Sequence, residues 1–349
     1  MDLTRRLSPR LHYWIVSAYH PIKAWRFARK HPKIVCSGPR IVLVAGEDGP
    51  DKPSMYIPVY SVYEVLRPHF NVELSVHARF SEKHARRIVS SKPDLVVLSF
   101  DSGEWQEVFE SYRVHLFGSS SEVSRLCYDK AAAKALVRSL GIATPDHVVC
   151  SRATMSDAGR CSERLGQAVV VKPRHGGSSQ GVCRVEAGLG MKSAIRRALR
   201  WDDEVLIEAF APGKEYTCTV YGNNNPKVLP LNRKIMAFEL AKMEAHGEQV
   251  HLKRFPVVSN EPFASEIKER SIEIYRALGC RDMARIDWKY DHTAERLVFL
   301  EINCLPWIGR TGGNIELCAE AEGSSYEQFI LQLFRDALAR FRERSTQMQ

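Results

Sequence analysis

An α/β (α+β) fold is predicted for this chain by three observations. Short β-branched runs alternate with helical stretches over residues 40–125. A glycine–serine loop follows a hydrophobic strand directly over residues 168–181. Two strands over residues 283–303 face each other across one turn.

The elements follow in order. Residues 40–46 (RIVLVAG) are a β-branched run ending in glycine, the first strand of a βαβ unit. Residues 56–66 read as helix, 72–76 as strand, 81–90 as helix and 94–100 (DLVVLSF) as strand. Such alternation means a small parallel sheet up to about residue 125. Asp129 caps a helix (DKAAAKALVRSLG) that ends at Gly141, with Pro145 beyond. Residues 168–172 (AVVVK) are a strand, 191–199 a helix and 204–209 (EVLIEA) a strand. Residues 217–221 and 227–231 flank Gly222-Asn223-Asn224-Asn225, a hairpin signal. Residues 265–278 form a helix closed by Gly279. Strands 283–290 and 296–303 turn near Asp291-His292, and residues 326–342 make a terminal amphipathic helix.

Charge is unevenly placed. The chain of 349 residues carries 50 Lys and Arg against 41 Asp and Glu. Residues 1–40 hold nine of the bases and one acid, Asp2, which leaves 41 bases and 40 acids elsewhere. The body is close to neutral, so a nucleic-acid-binding body is not expected. The basic stretch 1–35 also carries Trp14 and Trp25 near helical spacing with Leu11, Ile15, Ala18 and Ile22. Two readings stay open for this arm: packing on its own protein or a second subunit in a homodimer, or contact with an anionic surface. No apolar run reaches the length of a spanning helix. Nine scattered cysteines lack zinc or CxxC spacing, and no cleavable leader is evident, so reduced thiols in a cytoplasm are expected.

Two segments carry chemistry. The stretch Lys172-Pro173-Arg174-His175-Gly176-Gly177-Ser178-Ser179-Gln180-Gly181 offers free amides that can close over phosphate oxygens, with Lys172 as a point charge beneath. The GxxxxGK[ST] loop is absent. A solvated hairpin is the alternative. In the closing hairpin, Arg285 and Asp287 share one strand face, and Glu301 and Asn303 share a face of its partner. Two carboxylates and an amide oxygen suit Mg²⁺, with Arg285 beside them to stabilise a transferring phosphoryl group or an oxyanion. A salt-bridged sheet edge is the alternative, and it leaves Asn303 without a purpose.

The order of six motifs resembles the ATP-grasp ligases, and within them the D-alanine–D-alanine ligase branch, over about residues 125–335. The motifs are Asp129-Lys130; Val171-Lys172-Pro173 with its loop; Val205-Leu206-Ile207-Glu208; Gly213-Lys214-Glu215-Tyr216-Thr217; Arg285-Ile286-Asp287; and Leu300-Glu301-Ile302-Asn303 followed by Leu305-Pro306. The resemblance implies an N-terminal α/β domain (36–125) after the arm (1–35), a central lid domain (126–208) and a C-terminal ATP-grasp domain (209–345), with ATP between the last two. It implies that Lys130, Lys172 and Lys242 hold ATP phosphates and that amides around Gly177, Ser178 and Ser179 cover the γ-phosphate. Glu208 with the backbone of Ala209, Phe210 and Ala211 would face adenine, and Glu215 the ribose. Arg285 would sit on the reacting acyl centre. Asp287, Glu301 and Asn303 would bind two Mg²⁺ ions, Mn²⁺ being the substitute. The expected activity joins a small-molecule carboxylate and an amine through an acyl phosphate.

The substrate half departs from that branch. Its Glu-Val-Ser and His-Gly-x-x-Gly-Glu-Asp-Gly stretches are missing. Gly312-Gly313 stands where Ser-Leu is expected, and Arg310 is the candidate replacement anchor for an acceptor carboxylate. A specialised peptide-like product with larger substrates than alanine is therefore expected. The alternatives are a phosphotransferase without ligation, a D-alanine–D-alanine ligase proper, or a non-catalytic ATP-binding module.

Overall fold

The computed structural model describes residues 38–46, 56–77, 80–99, 103–154, 164–166, 168–177, 179–186, 190–234, 257–258, 260–306, 308–310 and 315–347. In chain order these form β1 (Arg40–Gly46), α1 (Tyr56–Leu66), β2 (Asn71–His77), α2 (Glu82–Ser90), β3 (Leu95–Leu98), α3 (Glu104–Ser111), α4 (Ser121–Tyr128), α5 (Lys130–Ser139), β4 (His147–Ser151), β5 (Ala168–Pro173) and β6 (Cys183–Glu186). They continue with α6 (Met191–Ala198), β7 (Glu204–Ala209), β8 (Lys214–Tyr221), β9 (Lys227–Val228), β10 (Leu231–Lys234), β11 (Val257–Val258), α7 (Ala264–Ala277), β12 (Met283–Asp291), β13 (Arg296–Asn303), α8 (Ile315–Ala321) and α9 (Tyr326–Gln347).

The chain divides into two compact units, Met1–Ser121 with Trp307–Gln349, and Glu122–Pro306. In the first, Ile41 to Val44 are buried at the centre of a parallel sheet ordered β2-β1-β3. Parallel neighbours need crossovers, and α1 and α2 supply them. Val42, Val44, Ile88, Val96 and Phe109 share one core. The terminal helix α9 belongs to this unit, where Phe334 stacks on Phe117 with ring centroids 4.8 Å apart.

The second unit holds two antiparallel sheets. A four-stranded sheet runs β4-β7-β5-β6, with α6 on it burying Met191, Ala194, Ile195 and Ala198. A larger sheet runs β11-β10-β8-β12-β13, with β9 paired to β8. Helices α5 and α7 pack on this sheet. The Asp129 side chain caps α5 by accepting from the amides of Ala131 and Ala132, and Gly141 follows at φ +74°.

Most expected elements fall within a residue or two of their places. The expected strand 227–231 is a correction: it is two strands, β9 and β10, because Pro230 has no amide hydrogen to give a ladder. Helices α3, α4 and α8 and strands β4, β6 and β11 were not expected. Among the described residues no helix is long and apolar enough to cross a membrane, and the seven described cysteines are free. The arm 1–35 lies outside the described residues.

Gly213 leads the chain into β8 at φ +94°, and a Cβ there would lie 1.9 Å from the Tyr290 carbonyl oxygen. Neither strain nor contact can be relieved by a flexible side chain. Gly213→Ala is expected to destabilise the protein by roughly 2–3 kcal/mol. Urea unfolding of the two proteins measures this, and matching midpoints would show that β12 yields freely.

Candidate active site

The large sheet has two unlike faces, because successive side chains on a strand alternate. One face is apolar: Tyr216, Cys218, Ile286, Trp288 and Phe299 enter the core. Trp288 Nε1 and Cys218 Sγ each donate to Ser271 Oγ at 2.9 Å, so the polar atoms there are satisfied. The other face collects the charged residues. Register sets Thr217 opposite Asp287 and Asp287 opposite Glu301. It also sets Arg285 opposite Asn303, and Lys234 opposite Glu215.

Simple alternation does not reach this arrangement on β13. A bulge between Asp287 and Trp288 pairs Trp288 with Phe299 and leaves Leu300 unpaired. The extra residue keeps Phe299 in the core while Glu301 faces Asp287.

The charges on this face are closely matched. Arg285 donates to Asp287 from Nε (3.1 Å to Oδ1) and Nη2 (3.2 Å to Oδ2), and Thr217 Oγ1 donates to Asp287 Oδ1 at 2.6 Å. Asp287 raises the guanidinium of Arg285 further above its ordinary value, outweighing burial. Lys234 Nζ lies 2.5 Å from Glu215 Oε1. Burial would lower Lys234, but Glu215 and Asp287 together raise it. Asn303 Oδ1 accepts from the Leu305 amide at 3.0 Å. The Glu301 side chain forms no hydrogen bond or ion pair with another described residue. Burial alone would raise its carboxyl, yet the fields of Lys172, Lys130, Arg285 and Lys234 hold it below the usual value.

The four-stranded sheet contributes Lys172 and Glu208, and helix α5 contributes Lys130 and Lys134. Glu208, 2% exposed, lies between Lys172 (2.9 Å to Oε2) and Lys134 (3.3 Å to Oε1). Lys172 is raised, because Glu208 and Glu301 outweigh its burial. Lys130 is lowered, mainly by burial, and its Nζ donates to the Gly176 carbonyl at 2.6 Å. The loop that follows Lys172 is rooted firmly. Arg174 forks onto both oxygens of Asp129 (2.9 and 2.6 Å) and reaches Glu204 at 2.7 Å. The His175 amide donates to Asp202 Oδ2 at 2.7 Å, and its Nδ1 lies 3.0 Å from the same atom. Gly176 (φ +101°), Ser179 (φ +57°) and Gly181 (φ +70°) then turn the chain through the left-handed region.

The structure thus brings Lys130, Lys172, Glu208, Glu215, Arg285, Asp287, Glu301 and Asn303 together within the second unit. A Cβ at Gly177 would meet nothing within 4 Å. The amides of Ala209 and Phe210 donate to Asp146 and Ala168 carbonyls at 2.8 and 3.0 Å, and Ala211 follows them. Phe210 has Arg184 over its ring at 4.1 Å and Lys289 at 4.9 Å. Ser178, Lys242, Gly312 and Gly313 lie outside the described residues. Arg310, expected as an anchor, is in the first unit with its charge already engaged: it pairs with Glu316 at 2.9 Å and with Glu327. The sequence reading missed Lys134, Lys234, Thr217 and Arg174. Lys134 carried a signal, since it lies one helical turn from Lys130 on the same face. Among the described residues no cluster of three or more His, Cys, Asp or Glu able to hold a metal occurs. The set read from the hairpin has two carboxylates and an amide.

The family described as the D-Ala–D-Ala ligase C-terminus matches residues 136–335, more than half of the chain. The chain belongs to the D-alanine–D-alanine ligase family. Like other members, it is an ATP-dependent, ADP-forming carbon–nitrogen ligase with the ATP-grasp fold. The family's D-alanine–D-alanine ligase from Ralstonia nicotianae is 31% identical over 266 residues, covering 75% of this chain and 73% of that one. The enzyme of the same name from Clostridium beijerinckii is 29% identical over 239 residues, 68% of this chain and 77% of its own. Among solved structures, the Bacillus anthracis D-alanine–D-alanine ligase complexed with ATP superposes with a TM-score of 0.72 at 22% identity, covering 88% of this chain and 99% of that one. A D-Ala:D-Ser ligase from Enterococcus faecalis gives 0.67 at 20% identity, covering 86% and 100%.

Glu208 links this site to stability. Burial alone would raise its carboxyl, but Lys134 and Lys172 hold it below its ordinary 4.5. Its contribution is therefore complete above about pH 4.5 and is lost as pH falls through the lower native value. Glu208→Gln is expected to cost roughly 3–5 kcal/mol at pH 7, because two buried lysines lose their partner. Its unfolding midpoint should also fall less steeply than the native chain's below pH 4.5. Parallel pH profiles would mean that Glu208 is not held by those lysines.

Proposed function

We propose that this ligase activates an amino-acid-like carboxylate as an acyl phosphate and transfers it to an amine larger than alanine, building a specialised peptide-like product. The observation that carries the nucleotide half is Glu301: a half-buried carboxylate amid four cations, its side chain without a protein partner among the described residues, on one sheet face with Asp287 and Asn303. An all-oxygen donor set of this kind suits Mg²⁺. Asp287, Glu301 and Asn303 would hold two such ions, and bound Mg²⁺ would neutralise charge on the phosphates.

The chain's own groups do the rest. Lys130 and Lys172 hold phosphate oxygens, with Lys242 as a third lysine. The loop amides at Gly177, Ser178 and Ser179 cover the γ-phosphate and exclude water, which would hydrolyse the acyl phosphate. Glu208 Oε1 is buried without a well-aligned hydrogen bond, and an adenine amino group supplies a donor for it. Ala211 offers the next backbone contact, and Glu215 offers its second oxygen to the ribose. The substrate carboxylate oxygen attacks the γ-phosphorus and ADP leaves. The amine then attacks the acyl carbon, loses a proton and expels phosphate. Arg285 stabilises the charge that develops on the acyl oxygens. Positioning and charge neutralisation suffice, so no Ser-His-Asp set is needed.

Acceptor choice rests on different observations. Arg310 is engaged by Glu316 and Glu327, Gly312-Gly313 lacks side chains that could hold an acceptor carboxylate, and the two N-terminal stretches of the branch are absent. A D-Ala:D-Ser ligase of the same fold supports variation of the acceptor. The second reading, a D-alanine–D-alanine ligase proper, is favoured by the names of the relatives at about 30% identity.

Two measurements test this. Lys172→Ala and Glu301→Ala should each lower kcat by about 100-fold or more in an assay of ADP and phosphate release, with circular dichroism unchanged. Wild-type rates in both would remove the phosphate and metal assignments. A panel of D- and L-amino acids and amines, read as kcat/KM, decides the acceptor. D-alanine with D-alanine leading by about tenfold, or about 1.4 kcal/mol, would establish the second reading in place of the first.

A further inference from the structure

An ammonium group seldom gives up all contact with water, because desolvating it is costly. Lys134 has done so: its exposure is 0%. It stands one turn after Lys130 on the buried face of α5, beside Ala133 and Val137. Its Nζ donates to Thr144 Oγ1 at 3.1 Å and lies 3.3 Å from Glu208 Oε1. The Phe299 ring lies 5.7 Å from the same nitrogen. The other oxygen of Glu208 is 2.9 Å from Lys172. One carboxylate therefore bridges a lysine sealed from solvent and a lysine at the root of the phosphate loop.

We propose that Lys134 is a positioning residue for the nucleotide: by taking Oε1 of Glu208 it stops that carboxylate from closing entirely on Lys172. Lys172 then keeps ammonium hydrogens for phosphate oxygens, and Glu208 stays fixed beside the base. The inference rests on the reading of Lys172 as a phosphate lysine. Lys134 itself touches no substrate atom. An ammonium has three donors and a carboxylate about four acceptor sites, so sharing is stoichiometrically open. Geometry decides how it is divided. Thr144 anchors Lys134 from the far side, which fixes where Oε1 must lie. Burial draws Lys134 down to about 8 against the field of Glu208, so it remains an ammonium at neutral pH. With Lys134 uncharged, Glu208 has one strong cation left, and both oxygens turn to Lys172.

The test is a double-mutant cycle on KM for ATP and kcat, using Lys134→Met, Glu208→Gln and the combination. Lys134→Met is expected to raise KM for ATP by about tenfold while kcat stays within about threefold. The double variant should return to within about threefold of Glu208→Gln, because a neutral amide leaves nothing to restrain. An unchanged KM in Lys134→Met, or effects that simply multiply in the double variant, overturns the proposal. Should Lys134→Met fail to fold, Thr144→Val removes the far anchor and keeps the charge. It is expected to raise KM for ATP about threefold, and no change overturns the proposal. Lys172→Ala separates the two readings. If it retains wild-type kinetics, the parent assignment fails; if it abolishes turnover while Lys134→Met is silent, only this inference fails.

Discussion

Charge removed from water has to be matched by charge, and in this protein most of the matching partners come from different elements. Glu208 of β7 meets Lys172 of β5 and Lys134 of α5. Arg174 ties Asp129 to Glu204. Arg285 and Thr217 share Asp287, and Lys234 holds Glu215. Arg285 and Asp287 lie two residues apart on β12, but the other pairs join separate elements, so the network fixes the sheets while it prepares the site. Lys130, Lys134, Lys172, Lys234 and Arg285 face Glu208, Glu215, Asp287 and Glu301. The surplus is cationic in a chain whose body is nearly neutral, and a polyphosphate is the kind of ligand that balances it.

Asp129 shows how tightly local structure and chemistry are joined. Its Oδ1 caps α5, and the same carboxylate receives the Arg174 fork at the start of the glycine–serine loop. The cap sets Lys130 at the first turn, and the Lys130 ammonium then reaches the Gly176 carbonyl. Helix start, loop root and lysine position are therefore one arrangement. Gly176 and Gly181 stand in the left-handed region beyond it, while Arg174 and His175 anchor the base of the loop.

The legible part of the sequence was the part written in backbone pattern. Residues 40–46 and 204–209 read as strands because β-branched runs end in glycine or a turn, and α5 read as a helix because Asp129 and Gly141 punctuate it. The hairpin residues Arg285, Asp287, Glu301 and Asn303 were found by alternation and spacing. What stayed hidden was partnership. Lys134 occupies a position in the buried stripe Lys130, Ala133, Lys134, Val137 that composition assigns to an apolar residue, and its meaning depends on Glu208, which is 74 positions away. Lys234 was hidden because Pro230 divides its strand. Arg310 read as a free cation because Glu316 and Glu327 reach it only through folding.

The bulge at Leu300 carries a consequence for how this hairpin tolerates changes in length. Four apolar residues in a row, Leu297 to Leu300, cannot all alternate, and the strand absorbs the surplus by leaving Leu300 unpaired and half-buried. A strand one residue shorter at this point would keep Phe299 inward and Glu301 outward with an unbroken ladder. A strand one residue longer on either side of the bulge would exchange the two faces and place a carboxylate in the tryptophan-lined core. Insertions and deletions in this hairpin are thus unequal: loss of Leu300 is close to silent in the placement of Glu301 and Asn303, and gain of a neighbour is not.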